Sequence, residues 1–292
     1  MTIAATPDLV AAAVAAGSAV PAFNVITIEH IEGVAAGVER AGAAALFQIS
    51  ENTMAFHGGR MAPLLAACAQ IAAESTAPLG IHLDHLQDTD LISEAIATAT
   101  DLGVSSLMVD AAHLPYEDNV ERTRTMTRDA HAAGLWVEAE LGEIGGKAGT
   151  HIAAHAPGAR TDPEEAVAFT AATGVDALAV AVGSSHAMTT REAQLDHDLI
   201  SRLATAVGVP LVLHGSSGVG DDELRRAARA GIRKVNIGTA LNIAYTSTIR
   251  KALSEKPDPR PYLAAGRDAI SIVVADLCNV ITPAAAAKVG QR

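Results

Sequence analysis

Eight short runs of apolar or β-branched residues recur along the chain, and a segment of helical length follows each of them. The runs predicted to be strands are 20–25, 44–49, 79–83, 104–109, 135–140, 176–182, 209–213 and 232–237. The helix candidates are 28–41, 59–74, 87–102, 117–133, 163–173, 196–207, 221–230 and 239–253. Strands with few polar residues are typical of parallel sheets that are buried on both faces. Eight such βα units predict an α/β fold, specifically a (β/α)8 TIM barrel.

The length of the chain fits this prediction without a second domain. A single barrel domain over residues 1–292 is expected, since no low-complexity linker divides the sequence. The hydrophobic fraction of 49% is enough to form a large core. A doubly wound open sheet is the alternative, but it favours a glycine-rich turn after the first strand, and none is present there.

The charge and the cysteines restrict the partners and the compartment. A formal net charge of −12 argues against nucleic acid or an anionic membrane as partner, so an anionic substrate needs a local positive site. Cys68 and Cys278 lie in apolar segments without a C-x-x-C pair. They are predicted to be buried free thiols in a reducing cytoplasm.

Residues 9–23 have the composition of a signal-peptide core, but Asp8 precedes them and no Lys or Arg does. The better prediction is a short helix with Thr6 as N-cap, Pro7 at its first position and Gly17 at its end. No apolar stretch has the length expected of a membrane-spanning helix.

Polar residues gather where the predicted strands end. These residues are Asn24, Gln48, Ser50, Glu51, His82, Asp84, His85, Asp110, His113, Glu138, Glu140, Ser184, His186, His214, Ser217 and Asn236. The carboxyl ends of barrel strands meet at one face, which is where active sites of this architecture lie. The sequence therefore predicts a catalytic site there, next to the long segment 141–162, which has the composition of a functional loop.

Three histidines from different strand ends form a candidate metal site. His85, His186 and His214 follow the third, sixth and seventh predicted strands, and three imidazoles with an open fourth position describe a catalytic zinc site. Asp110 and Glu140 offer oxygen ligands for a second or alternative metal position, or they orient the histidines through hydrogen bonds. The sequence leaves both interpretations open.

Two strand ends have the composition of phosphate-binding loops. Residues 215–218 (GSSG) supply backbone N–H groups and hydroxyls without bulk. Residues 236–239 (NIGT) open the next predicted helix, whose N-terminal dipole favours an anion. Barrels often bind phosphate at these two loops.

At this point the sequence resembles a known family, the class II, zinc-dependent fructose-bisphosphate and tagatose-bisphosphate aldolases. The resemblance runs from the first strand to the last helix in the family's order. Its segments are PAFNV (21–25), HLDH (82–85), EAELGEIGG (138–146), TGVDALAVAVGSSH (173–186), PLVLHGSSG (210–218), KVNIGTAL (234–241) and DPRPYL (258–263).

The resemblance implies a role for each matching residue. His85, His186 and His214 match the zinc ligands, and Asp84 matches the proton-transfer carboxylate. Contacts to dihydroxyacetone phosphate are implied for Gly215, Ser217, Asn236, Gly238 and Thr239, and other polar substrate contacts for Asn24 and Ser50. Arg260 matches a cation for the second phosphate, and Asp110 and Glu140 match an alternative, resting metal position.

The implied activity is the reversible cleavage of a ketose bisphosphate to dihydroxyacetone phosphate and an aldehyde through a metal-stabilised enediolate. Fructose-1,6-bisphosphate is the first expectation and tagatose-1,6-bisphosphate the second. A lysine Schiff base is not required, and no lysine is expected inside the barrel centre, since Lys234 precedes the end of the eighth strand. The resemblance also implies a homodimer or homotetramer that acts in carbohydrate metabolism, in glycolysis.

The sequence departs from the family's pattern after the fifth strand. Relatives have an acidic stretch after the Gly-Gly pair, whereas this chain has residues 147–150 (KAGT), so Glu143 or His151 is a candidate substitute. Ala187 replaces a glycine that is linked to a monovalent cation in relatives. Another phosphorylated keto sugar or deoxy-keto acid, or a non-catalytic sugar-phosphate-binding role, therefore remains as an alternative. A metal-dependent barrel hydrolase is disfavoured because the first strand has Asn24 and no H-x-H pair.

Overall fold

The computed structural model describes residues 3–141, 160–184 and 190–282. Its eight strands form a closed parallel barrel in sequence order, in which the last strand also pairs with the first. They are β1 (Val20–Asn24), β2 (Ala45–Ser50), β3 (Leu79–Leu86), β4 (Ser106–Val109), β5 (Trp136–Leu141), β6 (Ala177–Val180), β7 (Leu211–Leu213) and β8 (Ile232–Ile237). The (β/α)8 prediction is confirmed, and the open-sheet alternative is wrong because pairing of β8 with β1 leaves no edge.

The described helices follow the predicted positions closely. They are α1 (Thr6–Ala16), α2 (Ile28–Ala41), α3 (Glu51–Phe56), α4 (Ala62–Glu74), α5 (Thr89–Thr98), α6 (Tyr116–Ala132), α7 (Pro163–Thr173), α8 (His197–Ala206), α9 (Asp221–Ala230), α10 (Thr239–Ala252) and α11 (Arg260–Ile281). The predicted helix 59–74 begins only at Ala62, and neither α3 nor α11 was among the predicted helices. The predicted helix 87–102 corresponds to α5, which ends at Thr98, and to a 3-10 turn that follows it over Ala99–Leu102.

Alternate residues of each strand face the helices and the barrel interior. In β2, Phe47 and Ile49 belong to the main core between sheet and helices, whereas Leu46 belongs to a separate apolar cluster with Val20. This alternation follows from the two-residue period of side chains along a strand. The barrel interior is consequently filled by a different set of side chains from the outer core.

Helix α1 closes the end of the barrel where the strands begin. Its Leu9 and Val10 pack against the interior residues Val20 and Leu46. The prediction that Thr6 caps this helix is wrong, because Ala5 holds the N-cap position and no side chain caps the helix. The Thr6 hydroxyl lies instead 2.6 Å from the Ser106 Oγ, a buried contact with β4 that joins the helix to the barrel.

Helix α11, rather than α10, completes the ring of helices around the barrel. It contacts both α2 and α9, whereas α10 packs mainly on α11 and buries only Leu241 among its residues. Two glycines of α2 allow the close approach of α11. A Cβ atom on Gly37 would lie 2.6 Å from the backbone oxygen of Ser271, and one on Gly33 would lie 2.7 Å from that of Arg267.

The predicted state of the cysteines is confirmed. Cys68 and Cys278 are both buried and free. Burial raises the pKa of the Cys68 thiol above its usual range and that of Cys278 to about 12. Over the described ranges, no helix combines the length and apolar character that crossing a membrane requires.

We predict that Gly37→Ala destabilises the fold. The substitution gains about 1 kcal/mol of helix propensity, but overpacking a tight contact costs about 1–3 kcal/mol, and the atom it meets here belongs to the backbone of α11. The free energy of unfolding in urea should therefore fall. Gly208→Ala is the matched control, since a Cβ there meets nothing within 4 Å. Equal stability of the Gly37 variant and the wild type would contradict the packing described.

Candidate active site

The end of β3 is distorted at Asp84 and His85, the two residues at the centre of the predicted site. Strict alternation would direct Asp84 and His85 to opposite faces of the sheet. The register with β4 shifts between Leu83 and Leu86, and His85 has a φ of 50°, the one positive φ of a non-glycine residue in the described part of the chain. Such bulges and left-handed residues redirect side chains at functional sites. Both side chains thus reach the same cluster.

The His85 ring has carboxylates near both of its nitrogens. Its Nδ1 lies 3.0 Å from the Asp110 Oδ2 and 3.9 Å from the Glu140 Oε2. Its Nε2 lies 3.9 Å from the Asp84 Oδ1. The hydrogen bond with Asp110 fixes the ring plane, so Nε2 is the nitrogen directed towards Asp84.

His214, directly after β7, approaches the same point from the opposite side. It is fully buried, and its Nε2 lies 2.9 Å from the Glu138 Oε1. That contact places its other nitrogen, Nδ1, 3.8 Å from the Glu140 Oε2. The centroids of the His214 and His85 rings are 4.8 Å apart. Two of the three predicted metal-ligating histidines therefore converge.

The donor atoms form two overlapping groups that could hold an ion. One group is Asp84, His85 and His214, the other is His85, Asp110 and Glu140, and the atoms within each lie within 4.8 Å of one another. Imidazole nitrogen and carboxylate oxygen are the donors that divalent transition metals accept. The geometry is compatible with both interpretations of Asp110 and Glu140, as metal ligands and as residues that orient a histidine. They lie beside the His85 ring and can also share an ion with it. His186 lies outside the described residues.

Asp84 is held by two amide groups. Asn24 Nδ2 donates to its Oδ2 at 3.2 Å, and Asn236 Nδ2 donates to its Oδ1 at 3.4 Å. The structure thus joins the predicted substrate residues Asn24 and Asn236 to the predicted proton-transfer residue. The carboxylate is 2% exposed and is fixed in orientation beside His85.

The two predicted phosphate loops lie side by side. Gly215 adopts a φ of 65°, which favours glycine, and the backbone N–H of Ala240 donates to the Ser217 Oγ at 3.1 Å. Gly238 is the N-cap of α10 and Thr239 is its first residue. The loop after β7 is therefore tied to the N-terminus of α10, where backbone N–H groups favour an anion.

Two predicted substrate residues have local partners in the structure. The Ser50 Oγ accepts a hydrogen bond from the Thr53 backbone N–H at 3.3 Å and caps α3. Arg260 is exposed at the start of α11 and forms an ion pair with Asp258 at 2.8 Å. None of the hydrogen bonds described for Arg260 joins it to the cluster around His85.

The expectation about lysines is wrong. Lys234 lies inside the barrel, 0% exposed, with its Nζ 2.8 Å from the Glu138 Oε2 and 3.1 Å from the Gln48 Oε1. The buried His82 lies beside this pair, with Nε2 3.8 Å from the Glu138 Oε2. Burial first, and then the Lys234 charge, lower the pKa of His82 well below its usual range. The sequence analysis counted Gln48, His82 and Glu138 among the polar strand ends without a role, and it placed Lys234 outside the barrel centre.

The sequence matches the family described as "Fructose-bisphosphate aldolase class-II" over residues 4–285. The chain belongs to this family. It is accordingly a carbon–carbon lyase, and the family's substrates are small phosphorylated sugars.

Solved structures agree with the family. The chain is 29% identical to the YdjI aldolase from Escherichia coli K12, with a TM-score of 0.82, over 96% of this chain and 98% of that one. The fructose-bisphosphate aldolase of Campylobacter jejuni, at 20% identity and a TM-score of 0.78 over 96% of both chains, shares the fold. The YdjI aldolase supports the enzyme class that the cluster around His85 indicates.

Several predictions of this aldolase's loop chemistry fall outside the described residues. These positions are Glu143, residues 147–150, His151, His186 and Ala187. The substitute for the family's loop acid and the monovalent-cation position stay predictions for the same reason.

We predict that His85→Ala and His214→Ala each lose most of the bound metal, because each removes an imidazole donor from the group that also contains Asp84. Metal content after dialysis is the measurement. His131→Ala is the matched control, since His131 pairs with Asp176 at 2.8 Å away from the cluster and is half-exposed. Full metal retention by either site variant would contradict the assignment.

Proposed function

We propose that the protein is a zinc-dependent aldolase that reversibly cleaves a ketose bisphosphate to dihydroxyacetone phosphate and an aldehyde. Fructose-1,6-bisphosphate is the first candidate substrate and tagatose-1,6-bisphosphate the second. The observation that carries the proposal is the Asp84 carboxylate, buried and oriented beside the His85 and His214 donor pair. A proton-transfer group next to a metal site is the minimum that a metal-dependent retro-aldol reaction requires.

His85, His186 and His214 are proposed to hold the zinc, with Asp110 and Glu140 available as an alternative position. When bound, the metal supplies a Lewis acid for the negative charge that develops on the dihydroxyacetone phosphate half. The chain's own task is proton transfer. Asp84 has both carboxylate oxygens engaged by amides, and each oxygen keeps a lone pair that can take the proton of the C4 hydroxyl as the C3–C4 bond breaks.

The phosphate of the dihydroxyacetone half is proposed to bind at the loops of Gly215, Ser217, Gly238 and Thr239. Support comes from the hydrogen bond that joins Ser217 to the N-terminus of α10. An anion there is favoured by the helix dipole and by backbone N–H groups, although the chain carries a net charge of −12. Asn24, Asn236 and Ser50 are proposed as polar contacts to the sugar.

A homodimer or homotetramer and a cytoplasmic location are also proposed. Exposed apolar side chains on α10 and α11 support association, because Ile243 is 45% and Ile272 is 54% exposed. The buried free thiols of Cys68 and Cys278 fit a reducing compartment.

The test of the proposed function is a substrate panel on protein of measured zinc content. Release of dihydroxyacetone phosphate from fructose-1,6-bisphosphate, tagatose-1,6-bisphosphate and fructose 1-phosphate is followed before chelation, after it, and after zinc is restored. Cleavage that disappears and returns with zinc supports the proposal. Cleavage that persists without metal contradicts it, and no cleavage of any ketose phosphate favours the sugar-phosphate-binding alternative or a phosphorylated deoxy-keto acid substrate.

Asp84→Asn should lower kcat by about 10²–10⁴-fold, the usual contribution of general acid–base catalysis, because the amide has almost the same shape and cannot accept the proton. Zinc content should stay at the wild-type level. Loss of zinc together with activity would show that Asp84 is primarily a ligand and would contradict its proton-transfer role.

Arg260→Ala should raise KM for bisphosphates by about tenfold or more, the effect of a lost charge-assisted hydrogen bond, and leave KM for fructose 1-phosphate almost unchanged. Arg267→Ala is the matched control, since Arg267 also lies on α11 and pairs with Asp268 and Glu32. An equal rise for both substrate classes would exclude Arg260 as the second-phosphate residue.

A further inference from the structure

Lys234 places a positive charge in the middle of the barrel, where its three contacts are all oxygens. Its Nζ lies 2.7 Å from the Asn236 Oδ1, 2.8 Å from the Glu138 Oε2 and 3.1 Å from the Gln48 Oε1. An ammonium has three N–H groups and no acceptor. The three oxygens therefore satisfy the group completely, and each must face Lys234 with a lone pair.

This requirement fixes the direction of two amides. The oxygens of Asn236 and Gln48 face Lys234, so their NH2 groups must point away from it. Asn236 Nδ2 then donates to the Asp84 Oδ1 at 3.4 Å. Gln48 Nε2 donates to the Asn24 Oδ1 at 3.1 Å, and Asn24 Nδ2 in turn donates to the Asp84 Oδ2 at 3.2 Å. Both paths therefore end in an amide N–H group that donates to the Asp84 carboxylate.

The third path leads to a metal-ligating histidine. Glu138 gives Oε2 to Lys234 and Oε1 to the His214 Nε2, at 2.8 Å and 2.9 Å. A carboxylate accepts and cannot donate, so His214 carries its proton on Nε2. Its Nδ1 is the nitrogen on the side of Glu140, 3.8 Å from the Oε2, and His214 forms a donor group with Asp84 and His85.

We propose that Lys234 is a positioning residue that sets the direction of all three hydrogen-bond paths, and so determines which atoms Asp84 and His214 present to substrate and metal. The inference rests on the roles proposed above for those two residues. A buried ion pair alone is weak evidence for stability, because desolvation offsets much of its attraction. Here, however, all three hydrogen-bond paths from Lys234 end at a residue of the site, either Asp84 or His214. A purely structural ion pair has no reason to be connected in this way.

Without the ammonium, nothing prevents the amides of Asn236 and Gln48 from turning by half a rotation. Either amide would then direct an oxygen towards its neighbour, so Asp84 would lose a donor or meet a second acceptor. Glu138 would at the same time lose its cation while fully buried. The consequence is a site that is still formed but wrongly oriented.

The central experiment is the variant Lys234→Met/Glu138→Gln, which removes the charge pair without leaving an unpaired carboxylate. Cobalt(II) affinity by visible titration, and kcat and KM on the best substrate of the panel, are measured with thermal unfolding. Cobalt affinity should fall about 10–100-fold, as for lost hydrogen bonds behind metal-ligating histidines. The value of kcat should fall by at least a similar factor, with a smaller change in KM.

Single variants separate the paths. Gln48→Met should lower kcat by about five- to tenfold and leave cobalt affinity unchanged, because its path ends at Asp84 alone. Glu138→Gln should weaken cobalt binding, because its path ends at His214. Thr173→Val is the matched control: it removes a buried hydroxyl that donates to the Phe169 backbone oxygen within α7, away from the three paths, so only the unfolding temperature should fall.

The proposal would be overturned by a double variant that folds cooperatively and keeps both cobalt affinity and kcat within about twofold of the wild type. A change of that size corresponds to less free energy than one hydrogen bond contributes. Equal losses in the Thr173 variant would overturn it too. If the double variant does not fold, the two single variants decide. The proposal then requires that Gln48→Met lowers kcat alone and that Glu138→Gln weakens cobalt binding, and it fails if the two variants have the same effects. If the wild type cleaves no substrate, the proposed function fails, and cobalt affinity alone decides the part of the inference that concerns Lys234 and His214.

Discussion

The buried ion pair between Lys234 and Glu138 is the interaction on which the organisation of the site depends. Removing an ammonium and a carboxylate from water costs several kcal/mol per ion in proteins, and both groups are fully buried here. The cost is offset by the short contact between them and by the amide oxygens that complete the ammonium's shell. A TIM barrel usually fills this space with branched apolar side chains, so the polar interior departs from the usual packing of this architecture.

Local strain at β3 is the second requirement of the site. The left-handed His85 and the register shift after Leu83 turn two neighbouring side chains to the same side. Non-glycine residues in that conformation cost about 1–3 kcal/mol. The hydrogen bond with Asp110 and the parallel pairing on both sides of β3 hold the distortion. The ion pair therefore orients the donors, and the bulge brings them within reach of one ion.

The fold could be predicted from the sequence because runs of apolar residues indicate strands that are buried on both faces. Strand ends were predicted well enough to bring His85, His214, Asp84 and Asn236 together. Thr6 was misplaced because its hydroxyl bonds to β4, about 100 residues away in sequence, instead of to its own helix. Local capping rules carry no information on such a partner.

The polar barrel interior was missed although the sequence contains a signal for it. Polar residues two apart recur in four strands, at Gln48/Ser50, His82/Asp84, Glu138/Glu140 and Lys234/Asn236. A two-residue period places both members of each pair on one face of a strand. Because each position was interpreted only as a strand end, Gln48, His82 and Glu138 received no role, and Lys234 was not expected in the barrel centre. Their pairing across the barrel depends on register, which the sequence alone does not provide.

The most direct test of the account is a crystal structure of the zinc-loaded protein with anomalous diffraction at the zinc edge. The account predicts one strong peak at the carboxyl ends of the strands, about 2.0–2.1 Å from one nitrogen of each ligating histidine, with His85 contributing Nε2 and His214 contributing Nδ1. A peak bound by the His214 Nε2, or zinc bound only at the distant His131–Asp176 pair, would contradict it.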